Sequence, residues 1–282
     1  MIKKKITAEK ISEFAKYLVT EEKSDATAEK YLRDVRAFAQ YAGDRELTKE
    51  LAVEWKKELE RKCYKPRSVN SMLASLNSFL EFAGAHECRV KSVRIQRSTY
   101  LAEDRELTKQ EYRRLIGASA QNKRLNLIIR TICATGIRVS ELRYFTVQAV
   151  TKGEVTIKCK SKTRTILIPG DLRKMLLRYC TRINIQDGVI FITRGGKPVD
   201  RSYIWAQMKG LCEMAGVNPS KVFPHNLRKL FARTFYGIDK DIAKLADILG
   251  HSSIETTRIY IMTSGTEHRR QIEKTGLAFY GF

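Results

Sequence analysis

No stretch of this sequence stays apolar for the roughly 18–20 residues that a membrane-spanning helix requires, and its opening, "MIKKKITAEK", does not lead into the apolar core of a secretory signal. Cysteine offers no framework either. Cys63, Cys88, Cys133, Cys159, Cys180 and Cys212 are scattered, several of them in apolar stretches, and no two form a CxxC pair. That usage suits thiols in a reducing compartment better than disulfides or zinc ligands, and the expected location is cytoplasmic. The sequence has no GxxxxGK phosphate loop and no GxGxxG strand–turn, which leaves ATP and dinucleotides without a recognisable cradle. Internal repeats, low-complexity segments and an obvious carboxylate cluster for a metal are missing too, so no cofactor is expected.

What is abundant is positive charge. The 282 residues carry 53 Lys+Arg against 31 Asp+Glu, a formal net charge of +22. A balance of that size costs self-repulsion unless a polyanion is the usual neighbour, and nucleic acid is the leading partner. A basic amphipathic membrane binder would share the charge, but no long apolar run accompanies it. The excess is uneven: residues 1–100 carry 21 basic against 15 acidic side chains and residues 101–282 carry 32 against 16. The second part should therefore hold a phosphate backbone harder, since each neutralised phosphate releases counterions. With 43% apolar residues the chain can bury a core, and its length suits one or two domains.

Apolar periodicity predicts four amphipathic helices in the first hundred residues. Thr7 caps one that buries Ile11, Phe14 and Leu18; a second, about Thr27 to Ala42, buries Tyr31, Leu32, Val35, Phe38 and Ala39 before Gly43. Thr48 opens a third through Leu51, Trp55 and Leu59, and Pro66 a fourth through Met72, Leu73, Leu76, Phe79 and Leu80. Opposite these stripes, Lys62, Lys65 and Arg67 are open to two readings, solvated surface or DNA contact. "CRVKSVRIQRSTYLAEDRELTKQEY" then breaks the periodicity as a linker would, with Thr108 the N-cap of the next helix. Beyond it the element types mix. A helix through Leu125, Ile128, Ile129 and Ile132 leads to "ATGIRVSELRYF"; "EVTIKCKSKTRTILIP" alternates like two short strands; a helix covers Leu172 to Cys180; "GVIFIT" reads as a strand. Everything after Asp200 is helical in pattern.

Some basic residues stand where chemistry needs them. Arg138 follows a glycine-terminated turn in "TGIR", where a guanidinium is aimed by a fixed backbone. His225 and Arg228 in "FPHNLR" lie one helical turn apart and share a face. Each has a plain alternative, Arg138 pairing with Glu141 and His225 satisfying a helix terminus. Taken together, two arginines can grip the oxygens of a phosphodiester and neutralise the charge of its transition state. A tyrosine attacking that phosphorus would form a covalent intermediate, with histidine and lysine handling protons. "ILGHSSIETTRIYI" supplies the tyrosine, Tyr260.

The motifs "TGIRVSEL", "KCKSKTR", "HNLR" and "LGHSSIETTRIYI", in that order, resemble those of the tyrosine recombinases, or phage integrases, and the likeness covers nearly the whole chain. The resemblance implies a mainly α fold with a small β-sheet: an N-terminal four-helix core-binding, SAM-like domain over residues 1–97, a linker at 98–106, and an α+β catalytic domain over 107–282. It makes Tyr260 the nucleophile, Arg138 and Arg228 the phosphate clamp, His225 the proton-handling histidine and His251 a second, hydrogen-bonding one. Glu141 matches an acidic position that braces the site, with a surface salt bridge as its alternative. Counting without gaps from Gly153 puts Lys160 at the hairpin lysine, the general acid, and Lys162 competes for that role. One departure stands out: where the family has HxLRH, this chain ends the motif with Lys229.

The activity implied is site-specific recombination through a 3′-phosphotyrosyl intermediate, requiring neither metal nor ATP. Its partners would be double-stranded DNA with inverted half-sites and three further copies of the chain, forming a homotetramer on DNA; no membrane is involved. The tail, residues 266–282, is expected to dock in trans on a neighbouring protomer. The first helix opens within ten residues of the start, so no separate arm-type domain is expected. Two rival readings are a type IB topoisomerase and a non-catalytic DNA-binding or architectural protein. The short chain and the "LGHSS" motif oppose the first, the intact set of candidate residues the second.

Overall fold

The computed structural model describes residues 5–96, 105–159, 162–262 and 265–277. It separates into two compact units, Met1–Arg97 and Ser98–Phe282. Residues 97–104, the greater part of the expected linker, lie outside the described residues.

The first unit is a bundle of α1 (Ala8–Thr20), α2 (Asp25–Ala42), α3 (Lys49–Arg61) and α4 (Pro66–Phe82). Thr7 and Thr48 each accept a backbone N–H three residues on, from Lys10 and Leu51, satisfying donors that a helix start leaves unpaired. The apolar stripes interleave Phe14, Leu18, Val35, Phe38, Trp55, Leu73, Leu76, Phe79 and Leu80 as a dry core. Ile11, Tyr31, Leu32, Ala39 and Met72, expected inside, are only half-buried, because they sit on the flanks of their stripes. Asp34 is the polar tie of this core: it takes Lys30 Nζ at 2.9 Å from its own helix and Ser75 Oγ at 2.9 Å from α4.

The second unit begins with α5 (Lys109–Ala118), opened by a reciprocal capping box between Thr108 and Glu111. α6 (Lys123–Thr135) buries Leu125, Ile128, Ile129 and Ile132, and is followed by a 3₁₀ turn, Val139–Tyr144, and α7 (Val147–Lys152). β1 (Glu154–Cys159) and β2 (Lys162–Leu167) form an antiparallel hairpin with Ile157 opposite Arg164 and Cys159 opposite Lys162. Then come α8 (Gly170–Arg182), α9 (Arg201–Gly210), α10 (Cys212–Ala215), α11 (Pro224–Ile238), α12 (Ile242–Leu249), α13 (Ile254–Ile261) and α14 (Gly265–Glu273).

"GVIFIT" departs from expectation. Its residues make only isolated bridges, Thr146 with Val189 and Ile192 with Pro198, and no strand. Ile190 and Phe191 are buried all the same, so the apolar run serves packing while its backbone finds no continuous partner edge. Among the described residues the fold is mainly α with one two-stranded sheet. No helix among the described residues is long and apolar enough to cross a membrane.

Candidate active site

Four segments of the second unit converge on one spot. α6 ends at Gly136 in the left-handed conformation (φ 65°), and a side chain there would collide with the Phe231 ring, so the turn needs glycine twice over. That turn aims Arg138. Its backbone N–H donates to Glu141 Oε2 at 2.7 Å, its Nη1 to Oε1 at 3.0 Å and its Nη2 to the Gly250 carbonyl at 3.2 Å. The pairing with Glu141 is present, and it still leaves 41% of the Arg138 side chain exposed.

α11 contributes His225 in its first turn and Arg228 one turn later. Arg228 is 1% exposed. Its guanidinium donates to the Gly136 carbonyl, to the Leu249 carbonyl at 2.6 Å and to His251 Nε2 at 3.0 Å. Successive carbonyls at the C-terminus of α12 thus hold both arginines, Leu249 for Arg228 and Gly250 for Arg138, at the negative end of that helix. On its other side α11 grips the start of the unit: Asn226 donates to the Arg105 carbonyl at 2.7 Å, Lys229 binds Glu106 at 3.0 Å, and Arg233 binds Glu106 and the Leu107 carbonyl. Lys229, the departure from the family pattern, is held by Glu106 in that anchor.

Gly250 caps α12 with φ 64° and turns the chain so that His251 faces Arg228. A guanidinium can only donate, so His251 Nε2 accepts and its Nδ1–H donates to Thr257 Oγ1, 2.8 Å away in α13. Tyr260, one turn of α13 further on, is 7% exposed. Its ring meets both histidines edge-on, at centroid distances of 5.1 Å to His225 and 4.9 Å to His251, and lies 6.0 Å from the Arg228 guanidinium carbon. The ring also packs with Ala232, Leu245 and Leu249. Tyr260 is thus a packing residue by its ring and a member of the polar cluster by its hydroxyl.

The electrostatics are those of an anion site. Three guanidiniums, Arg138, Arg164 and Arg228, surround the single carboxylate of Glu141, to which Arg164 Nη2 adds a 2.7 Å ion pair. Burial, reinforced by Arg228, Arg138 and Arg164, pushes His251 down to about 4, and burial followed by Lys229 and Arg228 lowers His225. Burial and the neighbouring Arg138 bring Arg228 down to about 10, opposed by the Tyr260 phenol and Glu141. Both histidines are thereby biased toward their neutral form. A phosphate entering here would meet more guanidinium than carboxylate charge, beside two imidazoles biased toward the neutral form.

The structure brings together Arg138, Glu141, His225, Arg228, His251 and Tyr260. Lys160 lies outside the described residues, and Lys162 is described only as the first residue of β2. Sequence reasoning overlooked Arg164, Gly250 and Thr257. For Arg164 a signal existed: alternation along β2 puts it on the face of Ile166 and Ile168, where an apolar residue is expected and a buried arginine needs a partner.

Comparison with known proteins bears on the same residues. The profile of the "Phage integrase family" matches residues 105–266, and that of the "Phage integrase, N-terminal SAM-like domain" matches residues 11–87. Over 98% of its length the chain is 29% identical to tyrosine recombinase XerA of Pyrococcus furiosus, spanning 97% of that protein. Over 49% of its length it is 33% identical to tyrosine recombinase XerH of Campylobacter jejuni, spanning 40% of that protein. Among solved structures it shares the fold of the crystallised XerA recombinase (TM-score 0.54, 24% identity, 98% of this chain and 100% of that one). It also shares that of a lambda integrase(75–356) dimer bound to a COC′ core site (TM-score 0.74, 17% identity, 92% and 96%).

Proposed function

The chain belongs to the phage integrase family, and from that premise we propose that it is a site-specific DNA recombinase that cuts and rejoins strands through Tyr260. The observation that carries this reading is the meeting of Tyr260 with His225, His251 and Arg228, residues supplied by α11, the turn after α12, and α13.

The Tyr260 oxygen attacks the scissile phosphorus while neutral His225, against its ring, accepts the phenolic proton. Arg138 and Arg228 neutralise the non-bridging oxygens as charge grows on them, and Glu141 braces Arg138. The bond to the 5′-bridging oxygen breaks, leaving a 3′-phosphotyrosyl link and a 5′-hydroxyl, with the leaving oxygen taking its proton from a hairpin lysine. Lys160 is our assignment and Lys162 its competitor. The 5′-hydroxyl of a partner duplex then attacks the link, restoring the phosphodiester and Tyr260. One phosphoester is exchanged for another throughout, so the bond energy is conserved.

The partner is double-stranded DNA carrying inverted half-sites, which the charge of +22 suits, and exchange between two duplexes requires four copies of the chain. The working compartment is the cytoplasm. We place the unit boundary at residue 97, with 98–106 as linker and the catalytic unit from 107. The tail acts in trans: Ile272 and Leu277 are 58% and 90% exposed on their own chain, as expected of anchors meant for a neighbour. Phe279 and Tyr280, two further apolar side chains of the tail, lie outside the described residues.

The test is Tyr260→Phe on a nicked suicide duplex bearing the cognate site. The ring still packs, so binding stays within about twofold, while SDS-resistant protein–DNA adduct falls below detection because no nucleophile remains. Adduct at the normal rate would move the nucleophile elsewhere, with Tyr236 next in line.

A further inference from the structure

Arg164 takes no part in the chemistry assigned above, yet it is built into the site. β2 sets it opposite Ile157, on the face of the hairpin where Val155, Ile157, Ile166 and Ile168 are buried, and its side chain is 14% exposed. An aliphatic side chain would satisfy that packing; a guanidinium there costs desolvation unless it is paired. Its pair is Glu141. Arg164 Nη2 donates at 2.7 Å to Oε2, the oxygen that also takes the Arg138 backbone N–H, while Arg138 Nη1 holds Oε1. The other end of the same guanidinium fills the space where a side chain at Gly250 would stand, so any such side chain would collide with it. The Gly250 carbonyl is in turn an acceptor for Arg138 Nη2.

One buried carboxylate thus serves two arginines of unequal exposure. With a single cation beside it, Glu141 would draw that guanidinium into a two-pronged pair and occupy the edge that a phosphate needs. With Arg164 on one oxygen, the carboxylate keeps only one side-chain contact to Arg138. We propose that Arg164 is a positioning residue of the phosphate clamp: by sharing Glu141 and wedging against Gly250, it keeps the Arg138 guanidinium available to the scissile phosphate. The proposal rests on the reading of Arg138 as a phosphate ligand.

The test is single-turnover cleavage of a nicked suicide duplex whose scissile phosphate is either an ordinary phosphodiester or a neutral methylphosphonate. The protein is the full chain, as wild type, Arg138→Ala, Arg164→Ala and Arg164→Lys, each checked for folding by thermal unfolding. Arg164→Ala should bind the site within about threefold of wild type but cleave the phosphodiester about 10- to 100-fold more slowly, the scale of losing a transition-state donor. On the methylphosphonate there is no anionic oxygen to neutralise, and its deficit should shrink to about threefold or less, as should that of Arg138→Ala. Arg164→Lys, which keeps the charge, should recover part of the phosphodiester rate; if the alanine variant does not fold, the same substrate comparison is made on Arg164→Lys and Arg164→Gln. In a Glu141→Gln background, adding Arg164→Ala should cost no more than about threefold further, because the carboxylate that links the two arginines is gone.

An equal deficit for the Arg164 variants on both substrates, or no deficit on either, overturns the proposal. If Arg138→Ala itself shows no selective recovery, the clamp reading fails and the proposal falls with it. That pattern is distinct from recovery by Arg138→Ala alone, which removes only the role given to Arg164.

Discussion

The proton on His251 sits on Nδ1, because Arg228, which can only donate, occupies Nε2, and Thr257 Oγ1 takes the Nδ1–H. Protonating His251 would aim a second N–H, on Nε2, at a guanidinium, and burial opposes the charge as well. The folded value of about 4 lies below the ordinary 6.5, so the unfolded chain binds more protons between those limits. The neutral histidine therefore contributes its full stability above about pH 6.5, and that contribution is lost as the pH falls toward 4. His225 is shifted in the same direction. The melting temperature should fall as the buffer is lowered through that window, and less steeply in His251→Asn, which has no imidazole to titrate. Parallel slopes for the two proteins would show that His251 is not held neutral by the fold. Single residues were unevenly legible in the sequence. Tyr260, Arg138, His225, Arg228 and His251 stand in recognisable motifs, whereas Arg164 is one basic residue in a basic stretch until its strand shows which way it faces.

Elements were legible where their signals are local. The capping threonines Thr7, Thr48 and Thr108 start helices where expected because a cap is a contact between residues three apart. "GVIFIT" failed as a strand because strand formation depends on a partner edge far along the chain, which an apolar run cannot reveal. The hairpin lies between these cases: alternation predicts it, and the register pairs Cys159 with Lys162. Which lysine protonates the leaving oxygen is an experiment at this scale. Replacing the 5′-bridging oxygen by sulfur gives a leaving group that needs no proton. Lys160→Ala should lose about 100-fold on the oxygen substrate, the usual scale of general-acid catalysis, and regain most of it on sulfur, while Lys162→Ala should need no rescue. The reverse pattern transfers the role to Lys162.

For the whole molecule, the question is whether the tail is covered by its own chain or by a neighbour. α14 carries Ile272 exposed on its outer face, and Leu277 just beyond it is exposed as well. A nine-residue helix has little stability of its own, and its apolar side chains stay in water unless a neighbour covers them. A head-to-tail exchange of such segments around a closed ring would couple the position of each Tyr260 to the next subunit. A chain truncated after Gly265 should fold, bind a single half-site with unchanged affinity, lose cooperative assembly on paired sites and complete no recombination. Gel-shift titration on one and two half-sites, followed by a recombination assay, reads each step. Normal synapsis by the truncated chain would assign the tail to something other than a trans contact.

The sequence by itself pointed to a polyanionic partner, through its charge, and determined the helical architecture, through short-range periodicity and caps. It also determined the identity of the chemical groups, because motif residues are fixed in type and order along the chain. Only the tertiary structure decided how those groups share protons and charges. His251 accepts from Arg228 because the left-handed turn at Gly250 swings it there, and Glu141 serves two arginines because a hairpin strand brings Arg164 to a turn 23 residues away in sequence. The physical reason is range: a helix or a cap is settled within a few residues, whereas a pKa or an ion pair is settled by whatever the folded chain places within a few ångströms.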